Sequence, residues 1–202
     1  NGGTSNAYTT NDFTVYHENM PTTTLELMLQ VEADRMVNLR IDPKEFEAER
    51  QVVQEERKMR YENSPRGQLY LTMMEQLFKG TPYGTSVIGD LPDLKSVSRN
   101  QIYQYYAQWY APNNATIVLA GDVRLGEVKS LVKKYFNELK SSEVPAESHA
   151  KDPDSAFKVT LEKTIDLNLK GQSTSPLFML AFPGEPIGTP KGFALDMLSS
   201  LL

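Results

Sequence analysis

Glu49 and Glu56 are the residues whose type and spacing first suggest chemistry. They stand seven positions apart in a stretch dense in Glu, Arg and Gln. Seven residues are two helical turns less about 20°, so on a helix both carboxylates leave the same face. Phe46 and Val53 form an apolar stripe beside them. Carboxylates against such a stripe need a cation or a partner to offset the cost of burying charge. Two accounts fit the spacing. The pair contributes to a metal site, or Glu56 pairs with Arg60 at i,i+4 while Glu49 stays in water at the rim.

The remaining inventory removes most other chemistries. The 202 residues contain no cysteine, so thiol catalysis, thiolate metal sites and disulfides are all absent. The two histidines, His17 and His149, fall in a strand-like stretch and a polar stretch respectively and make no metal-binding pair. Neither a GxxxxGK[ST] loop nor a GxGxxG turn is present to cradle phosphate, and no GxSxG turn presents a serine. A net charge of −5 disfavours nucleic acid as a partner. No apolar run approaches the roughly 20 residues of a membrane-spanning helix.

Several elements must position these residues. Ser5 to Met20 is rich in Thr, Tyr and Val around Asn11-Asp12 and predicts two short strands and a tight turn. Thr22 to Thr24 precede a helix over about Leu25 to Leu39. Asp42-Pro43-Lys44-Glu45 is a capping-box pattern that opens a long helix from Pro43 to about Tyr61, and Ser64-Pro65 starts another. Two glycines and two prolines make a loop of Thr81 to Asp93. Ser98 and Gln101 cap a helix that holds Tyr103, Tyr105, Tyr106, Trp109 and Tyr110, which read as core. Ala115 to Gly121 has the length and apolarity of a buried strand, and an amphipathic helix spans about Leu125 to Leu139. The polar stretch from Ser141 to Ser155 predicts a linker, followed by strands at Phe157 to Leu161, Ile165 to Leu169 and Pro176 to Phe182. Strands, then helices, then strands predict an α+β fold. Asn1 at the start, and an apolar run from Phe193 that is still open at Leu202, predict a piece of a larger protein.

The run from Glu49 to Glu56, with Asn6-Ala7-Tyr8-Thr9 upstream, resembles the pitrilysin/insulinase family of zinc metallopeptidases, the inverzincins. Further motifs follow in order: Pro82-Tyr83-Gly84 with Ile88-Gly89, Tyr106 to Tyr110 with Ala111-Pro112-Asn113, and Val118 to Asp122. Each is weak singly, and their order and spacing together are specific. The likeness extends over nearly the whole chain and is nearest to the bacterial processing-peptidase-like branch.

The resemblance implies an antiparallel sheet packed against helices. Residues 1–145 would be the C-terminal part of the first, zinc-bearing domain, 146–156 a linker, and 157–202 the start of a second, similar domain. It implies that Glu56 is the third zinc ligand, that Glu49 supports the site from the same face, and that Asn6 and Ala7 belong to an edge strand that binds peptide. The H-x-x-E-H pair of histidines and the general-base glutamate would lie upstream of Asn1. The implied activity of the whole protein is hydrolysis of peptide bonds in oligopeptides or unfolded segments by a zinc-bound water. The chain by itself would be inactive and would not hold zinc tightly. A bacterial periplasmic or envelope location and a homo- or heterodimer with another family domain are further implications. The alternative is a non-catalytic homologue serving as a peptide-binding or scaffold subunit.

Overall fold

A computed structural model describes residues 2–145, 175–182, 184–186 and 188–201. The linker expected at 146–156, with His149, and the strands expected at 157–161 and 165–169 lie outside the described residues. In chain order the elements are β1 (Thr4–Thr9), β2 (Thr14–Asn19), α1 (Leu25–Asn38), α2 (Pro43–Arg57), α3 (Pro65–Leu77), α4 (Leu91–Ser96), α5 (Arg99–Trp109), α6 (Leu125–Phe136) and α7 (Pro190–Leu201). The fold class is α+β. The chain forms two compact units, and of the described residues 2–54 and 91–145 belong to the first, while 55–90 and those of 175–201 belong to the second.

The first unit opens with an antiparallel hairpin in which Asn6 faces His17 and Ala7 faces Tyr16. Its turn closes on Thr10, whose hydroxyl accepts from Asp12 N at 3.2 Å and Phe13 N at 3.1 Å. Thr22 to Thr24 form a 3-10 turn, and the Thr24 hydroxyl donates back to Pro21 O at 2.7 Å rather than capping α1. Leu29 and Ala33, four residues apart on α1, are buried with Tyr106 and Ala111. The Tyr106 hydroxyl donates to Arg35 O at 2.8 Å and accepts from Leu39 N at 3.3 Å, tying the end of α1 to α5. The Tyr16 and Tyr110 hydroxyls meet at 2.7 Å and tie the hairpin to the end of α5. At the far side of α1, Lys134 Nζ and Tyr135 OH of α6 both donate to Glu26 Oε1, at 2.7 and 2.8 Å.

The helix starts follow their capping residues. Asp42 Oδ1 accepts from Lys44 N and Glu45 N at 2.8 and 3.3 Å and opens α2. The Ser98–Gln101 capping box at α5 forms in both directions. Arg50 anchors the middle of α2, donating through Nη1 to Lys95 O and Val97 O at 2.9 and 3.1 Å.

In the second unit α2 does not run on to Tyr61 as an α-helix. After Arg57 it widens into a π-helical turn, Lys58–Glu62. Ser64 then caps α3 by accepting from Gly67 N at 3.1 Å. Gly67 is buried, and a Cβ there would stand 2.0 Å from Arg60 O, so the absence of a side chain lets α3 start directly against the π turn.

Three expectations need correction. Ala115 to Ala120 forms no ladder with another strand among the described residues and is exposed, Val118 by 82%. The apolar run fixes extended backbone, but burial needs neighbouring strands, and the described sheet has only β1 and β2. Pro176 to Phe182 is likewise without strand pairing, with Phe178 and Phe182 open to solvent. Of the aromatic cluster only Tyr106 is fully buried, while Tyr103 and Tyr105 face water, because α5 turns only one side to α1.

Candidate functional site

Glu49 and Glu56 both lie on α2, whose last turn, Glu55 to Arg57, counts with the second unit. Phe46 and Val53 of the apolar stripe are half-buried, and the Arg50 guanidinium stands over the Phe46 ring at 5.6 Å. Glu49 is exposed and makes no ion pair or hydrogen bond among the described residues. Glu56 is half-buried, and its Oε1 lies 2.6 Å from Arg60 Nη2. The i,i+4 pairing legible in the sequence therefore forms, and it forms across the junction where the α-helix becomes a π turn.

The residue after Glu56 carries no signal in the sequence. The Arg57 side chain is only 12% exposed, with Nε 3.7 Å from Glu62 Oε1 and Nη2 3.5 Å from Asp90 Oδ1. Its guanidinium also stands 5.9 Å from the Tyr61 ring. These contacts hold the π turn against the loop that ends at Asp90. A π turn next to a candidate ligand fits the frequent placement of such turns at functional sites. Asp90 is distant in sequence, so only the folded chain shows this contact.

Asn6 and Ala7 sit in the middle of β1, exposed, with β2 on one side and no strand on the other among the described residues. Asn6 Oδ1 accepts from Ala7 N at 2.8 Å. His17 lies opposite Asn6, its ring 6.2 Å from that of Tyr8. Among the described residues no three His, Cys, Asp or Glu side chains converge, and no helix is long and apolar enough to cross a membrane.

The donor set for zinc is thus incomplete here. Of the implied ligands only Glu56 is present, and its carboxylate is engaged by Arg60. The described residues do not by themselves fit a zinc ion, which needs three protein ligands and an open position in a catalytic site.

Comparisons with known proteins extend over the whole chain. A family model described as "Insulinase (Peptidase family M16)" matches residues 1–91, and one described as "Peptidase M16 inactive domain" matches residues 96–202. The zinc protease PqqE of Helicobacter pylori is 36% identical over 140 residues, 69% of this chain and 32% of that protein. A crystal structure of a protease from Helicobacter pylori superposes with a TM-score of 0.69 at 36% identity, over 72% of this chain and 35% of that one. The first half of the periplasmic protease PqqL from Escherichia coli gives a TM-score of 0.61 at 26% identity, over 70% and 31%. The chain spans about a third of the length of these relatives. With both halves matched by its models, the chain belongs to peptidase family M16, the insulinase or pitrilysin family.

Proposed function

We propose that the chain is the section of an M16 metallopeptidase that contributes one zinc-ligating carboxylate, Glu56, and a peptide-binding edge at Asn6 and Ala7. The observation that carries this reading is the placement of Glu49 and Glu56 on one face of α2, in the order of motifs of a family whose relatives are named zinc proteases. Residues 1–145 belong to the zinc-bearing domain and 157–202 to the start of the next. The whole protein hydrolyses peptide bonds in oligopeptides or unfolded segments. In the family a bound zinc supplies a water of lowered pKa. Within this chain the described residues complete no such site.

The chain's own residues take simpler parts. Arg60 neutralises Glu56 and must release it before that carboxylate can serve as a ligand. Glu49, exposed and unpaired, adds negative charge on the same face. The open side of β1 offers backbone N–H and C=O groups for a peptide to add as a strand, which gives affinity with loose reading of side chains. The relative PqqL is described as a periplasmic protease, which supports a periplasmic location for the whole protein.

The test is zinc content and peptide hydrolysis of the whole protein with Glu56→Gln and Glu49→Gln. Glu56→Gln should lose both, and Glu49→Gln should retain zinc with reduced turnover. Equimolar zinc retained by Glu56→Gln would refute the ligand assignment. An unmodified whole protein that binds peptide but neither zinc nor cleaves would instead establish the scaffold alternative.

A further inference from the structure

Two carboxylates outside the site above meet where the hairpin lies on α1. Glu18 is on β2, opposite Ser5 and next to the His17–Asn6 pair. Strand alternation puts Glu18 on the same hairpin face as Tyr16, Ser5 and Ala7. Tyr16 fixes what that face meets, because the Arg35 guanidinium of α1 stands 5.7 Å from its ring. Glu32, one turn before Arg35 on α1, is the carboxyl that Glu18 reaches. Glu18 Oε1 and Glu32 Oε1 are both shut off from solvent, and neither has a hydrogen-bond partner as a carboxylate. Arg35 Nη1 comes within 3.1 Å of Glu32 Oε1 but is not aligned to satisfy it.

Two shielded acceptors cannot satisfy each other. A single proton changes that, since a protonated carboxyl donates one O–H and the ionised one accepts it. We propose that Glu18 and Glu32 share one proton and so form a latch that fastens the hairpin, with its Asn6–Ala7 edge, to α1. Releasing that proton to solvent leaves two like charges in a half-buried contact, and the latch loosens.

The direction of titration agrees. Burial raises the Glu32 carboxyl above its ordinary value, the hydrogen bond and charge of Glu18 raise it further, and the Arg35 charge opposes them with the smallest effect. Arg35 is the cation facing the pair. Tyr16, on the same face, turns its hydroxyl to Tyr110, and His17 leaves β2 on the opposite face toward Tyr8. A pKa raised on folding gives stability that is complete below the unfolded value and is lost as pH rises through the folded one. The window therefore lies above the ordinary carboxylate value of about 4.3.

The latch stands on the two shielded, unpartnered oxygens and on the hairpin face that Tyr16 lays against α1, and only its effect on peptide capture rests on the peptidase reading, so the experiment reads the hairpin itself. Glutamate side-chain carboxyls are titrated by NMR in the full chain, alongside amide exchange of β1 and β2 corrected for intrinsic rates. Glu32 should titrate above the ordinary carboxylate range, and hairpin protection should fall several-fold through that step. Glu32→Gln keeps a donor without the charge and should hold its protection as pH rises. Ordinary titration of Glu32 would overturn the proposal, as would protection that is flat through the step or an equal fall in Glu32→Gln. Should Glu32→Gln not fold, the titration of the unmodified chain decides alone. A latch that titrates as expected in a protein that captures no peptide would stand, while the peptidase reading would fall.

Discussion

Replacing Gly67 with alanine tests whether the π turn after Glu56 is held by close backbone packing. A Cβ at Gly67 would stand 2.0 Å from Arg60 O, 2.8 Å from Tyr61 Cα and 2.9 Å from Arg60 C. All three are backbone atoms, so no side-chain rotation relieves the contact. Restoring an ordinary carbon–oxygen separation of about 3.4 Å requires α3 to withdraw from the turn by roughly 1.4 Å. Overpacking of this kind costs about 1–3 kcal/mol. The shift also strains the Ser64 cap, which accepts from Gly67 N and is worth about 1 kcal/mol. Against this, alanine in place of glycine stabilises a helix by up to about 1 kcal/mol. The expected net result is a loss of about 1–3 kcal/mol, seen as a lower urea midpoint by circular dichroism with an unchanged slope. Gly126 in α6 is the control, because a Cβ there meets nothing within 4 Å. Gly126→Ala should raise stability by a few tenths to about 1 kcal/mol. If Gly67→Ala behaves like Gly126→Ala, α3 does not press on the π turn and the reasoning fails.

Tyr106→Phe removes the hydroxyl shared by Arg35 O and Leu39 N, and should cost about 1–3 kcal/mol in the same denaturation assay. An unchanged midpoint would show that α1 and α5 are joined by apolar contact alone. Glu26 has its carboxyl lowered by hydrogen bonds from Lys134 and then Tyr135, with the Lys134 charge adding to them. A lowered folded pKa gives stability that is present above the unfolded value and lost as pH falls through the folded one. Glu26→Gln should therefore narrow the difference in stability between neutral and acid pH, and an identical acid profile would remove this pair from the balance.

Much of the frame is legible from local chemistry. The Asn11-Asp12 turn, the Asp42 and Ser98 caps, and the glutamate spacing each act within a few residues, so their signal is in the sequence itself. The pairing of Glu56 with Arg60 is legible for the same reason. The π turn is not, because apolar periodicity marks a helical face but not its pitch, and what fixes the pitch here includes the contact between Gly67 and the Arg60 backbone. Glu18 with Glu32, and Arg57 with Asp90, are equally hidden, since each pair joins separate elements. Ala115 to Ala120 is exposed where its apolarity predicts burial, because a run of apolar residues states what a strand prefers and says nothing of whether neighbours are there to cover it.

That exposed run has a consequence for how the chain behaves at high concentration. Ala115 to Ala120 contains no charged residue and no proline, is rich in β-branched and aliphatic side chains, and offers unpaired backbone to water. Six or seven residues of this kind are a template for intermolecular β pairing. A net charge of −5 spread over 202 residues repels weakly at close range in salt, whereas a strand edge attracts strongly on contact. Among the described residues this segment is thus one place where association can begin, and Val118→Lys should reduce association there more than an acidic substitution far from it.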